Sequence, residues 1–170
     1  MTPRVIGVDL SLTATGIAGP AATCTLAPKT RGCERLIWLR DRVRKVCELA
    51  DLVVIEGYAF SARNSHAHAL GELGGVVRVA LQVASVPFVE VPPASLKKYA
   101  CNRGNAKKEE ILAAAIRRLG YEGSSHDEAD ALWLRHMGLD ALGFAEIQMP
   151  EANREALKKV AWPSYNGAEK

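Results

Sequence analysis

Three strand-length segments crowd into the first 27 residues of the chain. Residues 4–10 (RVIGVDL) form an apolar run, residues 13–19 a second one after a short polar turn, and residues 23–27 a third. Turns this short join antiparallel neighbours, so the opening predicts a meander. The pattern then changes period. Leu36, Leu39, Val43, Val46 and Ala50 recur at helical spacing over residues 33–50, with arginines on the other face. Residues 52–55 are continuously apolar and end in Glu56-Gly57, as a central parallel strand does. A helix is expected over 68–84, a strand over 86–91 stopped by Pro92-Pro93, and a helix over 106–119 with Asn105 as N-cap and Gly120 just past its end. Another helix begins at His126, where Ser125 and Glu128 have capping-box spacing and Ala129, Leu132, Trp133, His136 and Met137 continue the apolar stripe. The tail from Gln148 holds a short helix over 151–160. Three strands followed by alternating helices and strands mean an α/β fold with a mixed sheet.

At 170 residues the chain suffices for one ordinary domain, and 48% hydrophobic with 24% charged residues excludes disorder. No internal repeat divides it. No apolar run approaches the roughly 20 residues that span a bilayer, and the N-terminus lacks a secretory pattern. Cys24, Cys33, Cys47 and Cys101 lie far apart without a CxxC pair, which fits reduced thiols in the cytoplasm. The net charge of +3 conceals two basic segments. Residues 29–47 and 97–119 each carry seven Lys or Arg against two acids. Either alone reads equally as a solvated helix face; together they point to a polyanion, bound in a salt-dependent way.

The acids are placed for chemistry. Asp9 ends the first strand and Glu56 ends the strand after the first helix, and open α/β sheets build their sites at such carboxyl ends. Asp127 and Asp130, three apart at a helix start, project from one face. If that helix start packs beside the strand ends, four carboxylates converge. Two unit charges about 4 Å apart repel by roughly 4 kcal/mol at an effective dielectric of 20. Such a cluster requires protons or cations, and hard oxygen ligands select Mg²⁺ or Mn²⁺. Any one of these acids alone is an ordinary boundary or first-turn residue. A strand-end Asp in D-x-S-x-x-x-x-G, an apolar strand ending in Glu and D-x-x-D opening a late helix are much harder to dismiss together. Glu128 reads as the capping-box residue, pointing away from the site. Asp127-Glu128-Ala129-Asp130 spells a helicase motif, but the chain has no phosphate-binding GxxxxGK[ST] loop. His66, His68, His126 and His136 do not reproduce zinc spacing, and His126 reads as a surface histidine.

From Val5 to Leu142 the sequence resembles the RuvC-type Holliday junction resolvases, of the RNase H-like nuclease superfamily. The segments that carry the likeness are VIGVDLSLTATG, VVIEGYAFSARN, GELGGVV, SLKKYACNRGNAKKEEI and HDEADAL. The resemblance implies an RNase H-like fold, with a mixed five-stranded sheet (a three-stranded antiparallel meander plus parallel strands) flanked by helices. Residues 1–145 would be the nuclease domain and 146–170 a partly helical C-terminal extension outside the likeness. Asp9, Glu56, Asp127 and Asp130 map onto the family's catalytic, metal-binding carboxylates. Lys97 and Lys108 fall where the family places bases that contact the scissile phosphate and assist catalysis. Phe60 matches an aromatic that stacks at the junction crossover; Arg63, Lys98 and Lys107 are further DNA-contact candidates. The helix carrying Gly71, Gly74 and Gly75 is where the family dimerises; the alternative is that these glycines serve packing on the protein's own sheet. The turn after Asp9 has Leu10-Ser11 where Pro-Gly is common, and the connection from the meander to the first helix is short. Both departures point to a diverged or phage-encoded member.

The implied reaction is hydrolysis of DNA phosphodiesters with two Mg²⁺ ions about 3.5–4 Å apart, Mn²⁺ substituting, which leaves 5′-phosphate and 3′-hydroxyl ends. The substrate would be branched DNA, four-way junctions above all, cut by a homodimer in the cytoplasm of a bacterium or phage-infected host. No residue identifies a branch-migration helicase partner. The alternatives are a nuclease of the same fold that prefers forks and flaps, and a silent junction-binding protein, against which the full set of four acids argues. An actin-like or sugar-kinase ATPase would need two such domains and is excluded by length.

Overall fold

A computed structural model describes residues 1–57 and 65–165 of the chain. The strands β1 (Val5–Asp9), β2 (Thr15–Ala18) and β3 (Thr23–Leu26) come first, then α1 (Gly32–Cys47), β4 (Leu52–Glu56), α2 (Ser65–Val83) and β5 (Phe88–Val91). The helices α3 (Pro93–Cys101), α4 (Lys108–Leu119) and α5 (His126–Ala141) follow, and α6 (Glu151–Arg154) with a 3₁₀ turn at Leu157–Lys159 closes the order. The five strands form one sheet in the order β3-β2-β1-β4-β5. β1, β2 and β3 pair antiparallel as the meander expected from the short turns, while β4 pairs parallel to β1 and β5 parallel to β4.

Each face of the sheet is covered. Strand alternation sends Ile6, Val8, Val53 and Ile55 toward α1 and α2, where Leu39, Val43, Leu73, Val77 and Leu81 complete one core. Val5, Leu52 and Val54 face the other way, into a core built with Leu96, Tyr99, Ile111, Trp133, Leu134 and Met137 of α3, α4 and α5. Helix α5 lies directly on β1 and β2 because two glycines remove the side chains that would hold it off. A β-carbon at Gly7 would fall inside the van der Waals shell of the Ala131 carbonyl oxygen, and one at Gly16 inside that of Asp127.

Several elements depart from the sequence expectations. Pro92-Pro93 does stop β5, but Pro93 also opens α3, which the sequence reading left out; a fixed φ and a missing N–H cost nothing in a first helical turn. Helix α4 starts at Lys108 with Lys107 as its N-cap, not Asn105, and the Glu110 carboxylate accepts from the Lys107 N–H at 2.7 Å. Gly120, in the left-handed conformation at φ 65°, ends α4 as expected. Helix α2 begins at Ser65, ahead of the expected His68, and the single helix expected over 151–160 is split into α6 and the 3₁₀ turn.

Glu128 also does something other than cap. Ser125 accepts from the Glu128 N–H at 3.2 Å, but the Glu128 carboxylate does not return the bond. It accepts from Thr23 Oγ1 at 2.7 Å, Thr25 Oγ1 at 2.6 Å and Tyr121 Oη at 3.1 Å, tying the edge strand β3 to α5. The Ser125 N–H goes to Tyr121 Oη at 3.2 Å instead.

Candidate active site

The parallel register of β1 and β4 ends in the pair Val8↔Ile55, and the next residue of each strand is an acid, Asp9 and Glu56. Alternation turns both toward the face that carries α5. That helix, seated on Gly7 and Gly16, brings Asp127 and Asp130 of its first turns to the same strand ends. Asp9 and Asp130 are buried, at 7% and 6% exposure.

Burial and charge crowding raise the pKa values of Asp9, Glu56 and Asp130. Burial, then the proximity of Glu56, Asp130 and Asp127, holds the Asp9 carboxyl well above the ordinary carboxylate range. The hydrogen bond between the two carboxyl groups raises Asp9 further and lowers Glu56. Glu56 is also raised by burial, against the hydrogen bond from Asp9 and the ammonium groups of Lys108 and Lys97, which lower it. Asp130 is pushed up to about 7, by burial first and then by Glu56, with Lys108 and Lys97 pulling the other way. Lys108 Nζ stands 4.0 Å from Asp127 Oδ1. Six sequence-picked residues from five elements thus act on one another: Asp9, Glu56, Lys97, Lys108, Asp127 and Asp130.

The donor set suits a hard divalent cation. It consists of carboxylate oxygens only, and the burial and mutual repulsion that raise Asp9, Glu56 and Asp130 are what a bound cation would relieve. Among the described residues no three acidic, imidazole or thiolate side chains are grouped closely enough to hold a metal ion as they stand.

No family model matches the chain. The crossover junction endodeoxyribonuclease RuvC of Sorangium cellulosum is 35% identical over 115 residues, an alignment spanning 65% of this chain and 64% of that protein. RuvC of Synechococcus sp. strain WH7803 is 30% identical over 144 residues, spanning 76% of this chain and 93% of that one. The chain belongs to the RuvC family. The structure of Thermus thermophilus RuvC superposes with a TM-score of 0.64 at 25% identity, covering 83% of this chain and 97% of that one. The same protein in complex with a Holliday junction substrate gives 0.66 at 25% identity, covering 84% and 98%. The yeast mitochondrial Holliday junction resolvase, at 12% identity and a TM-score of 0.52, shares the fold. The RNase H-like architecture expected from the resemblance is therefore the one observed.

Around the acids of this RuvC-family chain the other candidates separate. Lys97 and Lys98 are half-buried on α3, and Lys107 is exposed at the start of α4. Phe60 and Arg63 lie outside the described residues. Gly74 is buried and turned inward, where it lines a cavity of about 30 Å³ with Asp9, Glu56, Leu70, Arg78 and Glu90, room for a water or two. At Gly71 and Gly75 the space where a β-carbon would sit is open. His126 is half-buried, and its Nδ1 is enclosed with no hydrogen-bond partner among the described residues. Sequence reasoning did not single out Arg78 and Glu90, an ion pair at 2.7 Å between α2 and β5 beside the carboxylates. Nothing in their spacing announces it, because the pairing depends on how α2 lies over the sheet.

Proposed function

We infer that the chain is a structure-selective endonuclease that resolves four-way DNA junctions by hydrolysing a phosphodiester at the Asp9–Glu56–Asp127–Asp130 cluster. The observation that carries this reading is the cluster of mutually destabilising carboxylates at the strand ends, faced by Lys97 and Lys108, in a chain of the RuvC family. Two Mg²⁺ ions, for which Mn²⁺ substitutes, suit the four acids, and when bound they supply an activated water and charge stabilisation for the leaving oxygen. Asp9, central among the acids, would hold the metal together with Glu56, Asp127 and Asp130. Lys108, beside Asp127, offsets charge that develops on the phosphate, and Lys97 holds the scissile strand. Lys98 and Lys107 contact neighbouring phosphates. Phe60 as the crossover-stacking aromatic and Arg63 as a phosphate contact rest on the resemblance alone.

Paired incision of a two-fold symmetric junction calls for two copies about a two-fold axis. Helix α2 supports such a pairing. Gly71 and Gly75 leave room for close approach, Val79 and Val83 are 63% and 81% exposed, and a groove of about 620 Å³ runs between α1 and α2 with Arg40 and Arg44 at its rim. Gly74, turned inward, joins this interface only through the backbone of α2. Among the described residues no helix is long and apolar enough to cross a membrane. The bacterial relatives fit the cytoplasm of a bacterium or of a phage-infected host as the place of action.

The test is cleavage of a mobile four-way junction beside a flap and a fork, each with Mg²⁺ and with Mn²⁺. Preferred, symmetric cutting of the junction with 5′-phosphate products is expected. Equal cutting of all three substrates would broaden the specificity, and no metal-dependent nicking of any of them would overturn the assignment.

A further inference from the structure

Helix α3 has two working sides. Residues two apart on a helix point about 200° from each other, so Lys97 looks toward Glu56 and Asp130 while Tyr99 enters the core. Tyr99 is fully buried, meets Trp133 edge-on at 6.0 Å between centroids, and donates its phenol proton to Asp140 Oδ2 at 2.7 Å. Its backbone carbonyl belongs to the last turn, where helix carbonyls run out of partners within the helix. The Lys98 carbonyl is taken at 2.8 Å by the N–H of Asn102, a left-handed cap at φ 60°. The Tyr99 carbonyl is taken at 2.7 Å by Nδ2 of Asn153, a buried residue of α6.

The next residue grips the other end of the same tyrosine. Arg154 Nε lies 3.1 Å from each oxygen of Asp140, and its Nη2 lies 3.0 Å from Oδ1, so the guanidinium fixes the carboxylate that receives the Tyr99 hydroxyl. Met149, Ala156 and Leu157 are buried in the core that holds Tyr99 and Trp133. Two consecutive residues of the C-terminal segment therefore hold one α3 residue at both ends, Asn153 at the backbone carbonyl and Arg154 at the hydroxyl through Asp140, on the helix that carries Lys97.

We propose that residues 149–157 are a positioning device for the active site: Asn153, by capping α3, and Arg154, through Asp140, set where Lys97 stands relative to the carboxylates. The extension acts on the reaction through α3 without touching the DNA. This role rests on Lys97 serving cleavage, as inferred above.

Single-turnover cleavage of a four-way junction by the full-length wild type, Asn153→Ala, Lys97→Ala and the double variant tests it, well below the melting temperature of each. Asn153→Ala is expected to cut about tenfold more slowly while its junction Kd stays within twofold of wild type. The double variant is expected to be no more than twofold slower than Lys97→Ala, because a positioning effect vanishes once its object is gone. Losses that multiply, or a wild-type rate for Asn153→Ala, would overturn the proposal. A wild-type rate for Lys97→Ala would instead remove the lysine from the reaction and this role with it. Metal-free hydrogen exchange gives an independent readout. The Asn102 amide is expected to exchange at least tenfold faster in Asn153→Ala with β1 amides unchanged, and unchanged exchange at Asn102 would count against the cap. Arg154→Ala, a change at a half-exposed side chain, is expected to repeat both effects at about threefold, and no effect on either would remove Arg154 from the device.

Discussion

The two ends of α5 hold acids of similar burial in opposite circumstances. At its C-terminal end Asp140 is 5% exposed and fully answered, by the Tyr99 hydroxyl at 2.7 Å and by Arg154 at 3.0–3.1 Å. Arg135 on the same stretch forms a two-pronged pair with Glu146, both contacts at 2.7 Å. At the N-terminal end Asp130 is as deeply placed but faces Asp9, Glu56 and Asp127, and Lys108 and Lys97 only partly offset their charge. Natural interiors pair their buried charges, since an unpaired one costs several kcal/mol. The paired end is therefore built for the fold. The unpaired end is tolerated at a cost to the fold, which is the usual signature of a working site.

Cleavage should divide the two ends most sharply. Glu56→Gln is expected to lose at least about three orders of magnitude in single-turnover rate while junction binding holds or tightens, because removing a negative charge leaves the basic surface intact. Asp140→Asn is expected to stay within about tenfold of wild type. Near-normal cutting by Glu56→Gln would break the comparison, as would a dead Asp140→Asn protein that binds junction and melts normally.

Stability should divide them with opposite sign. In a chelator, Asp130→Asn removes a repelled, desolvated carboxylate and is expected to raise the melting temperature by about 5 °C or more, each kcal/mol being about 2–4 °C for a chain of this size. Asp140→Asn loses charge-assisted bonds to Arg154 worth about 2 kcal/mol and is expected to lower it by roughly 4–8 °C. Calorimetry of both variants reads the signs directly, and equal signs would mean that the two ends do not differ in kind.

The pH dependence is the smallest and finest expected effect. The folded-state pKa values of Asp9, Glu56 and Asp130 are raised, that of Asp130 to about 7. In the unfolded chain these groups release their protons near pH 4, so between there and about 7 the folded state binds more protons and stability falls as pH rises. The metal-free protein is thus expected to melt progressively lower as pH climbs from 5 to 7.5, more steeply than Asp130→Asn, and Mg²⁺ should flatten the slope. A metal-free profile as flat as that of Asp130→Asn would show that the carboxylates do not strain the fold.

Much of this arrangement was legible in the sequence, for identifiable reasons. Strand-end acids and a D-x-x-D helix start declare themselves through local period and position, so Asp9, Glu56, Asp127 and Asp130 could be gathered before any coordinates. The meander, α1, β4 and α5 were equally plain from apolar spacing. Helix α3 was hidden because Pro92-Pro93 reads as a stop and nine residues give little periodicity. The capping-box spacing of Ser125 and Glu128 was real, yet the Glu128 side chain was drawn to Thr23, Thr25 and Tyr121, partners that no local spacing reveals. Asn153 and Arg154 were illegible for the same reason, since their partners lie on α3 and α5.

The contact of α5 with β1 and β2 bears on how a chain of this kind can drift. At Gly7 and Gly16 the helix backbone rests on the strand backbone with no side chain between them. The separation of the strand acid from the helix acids is therefore set by main-chain thickness, which substitution does not alter. Volume-conserving changes in both cores, and divergence to 30% identity over the aligned residues of a relative, leave that separation to the same two backbones. The latitude enjoyed by the rest of the domain is secured at these two positions, where any residue larger than glycine would act as a shim under the helix.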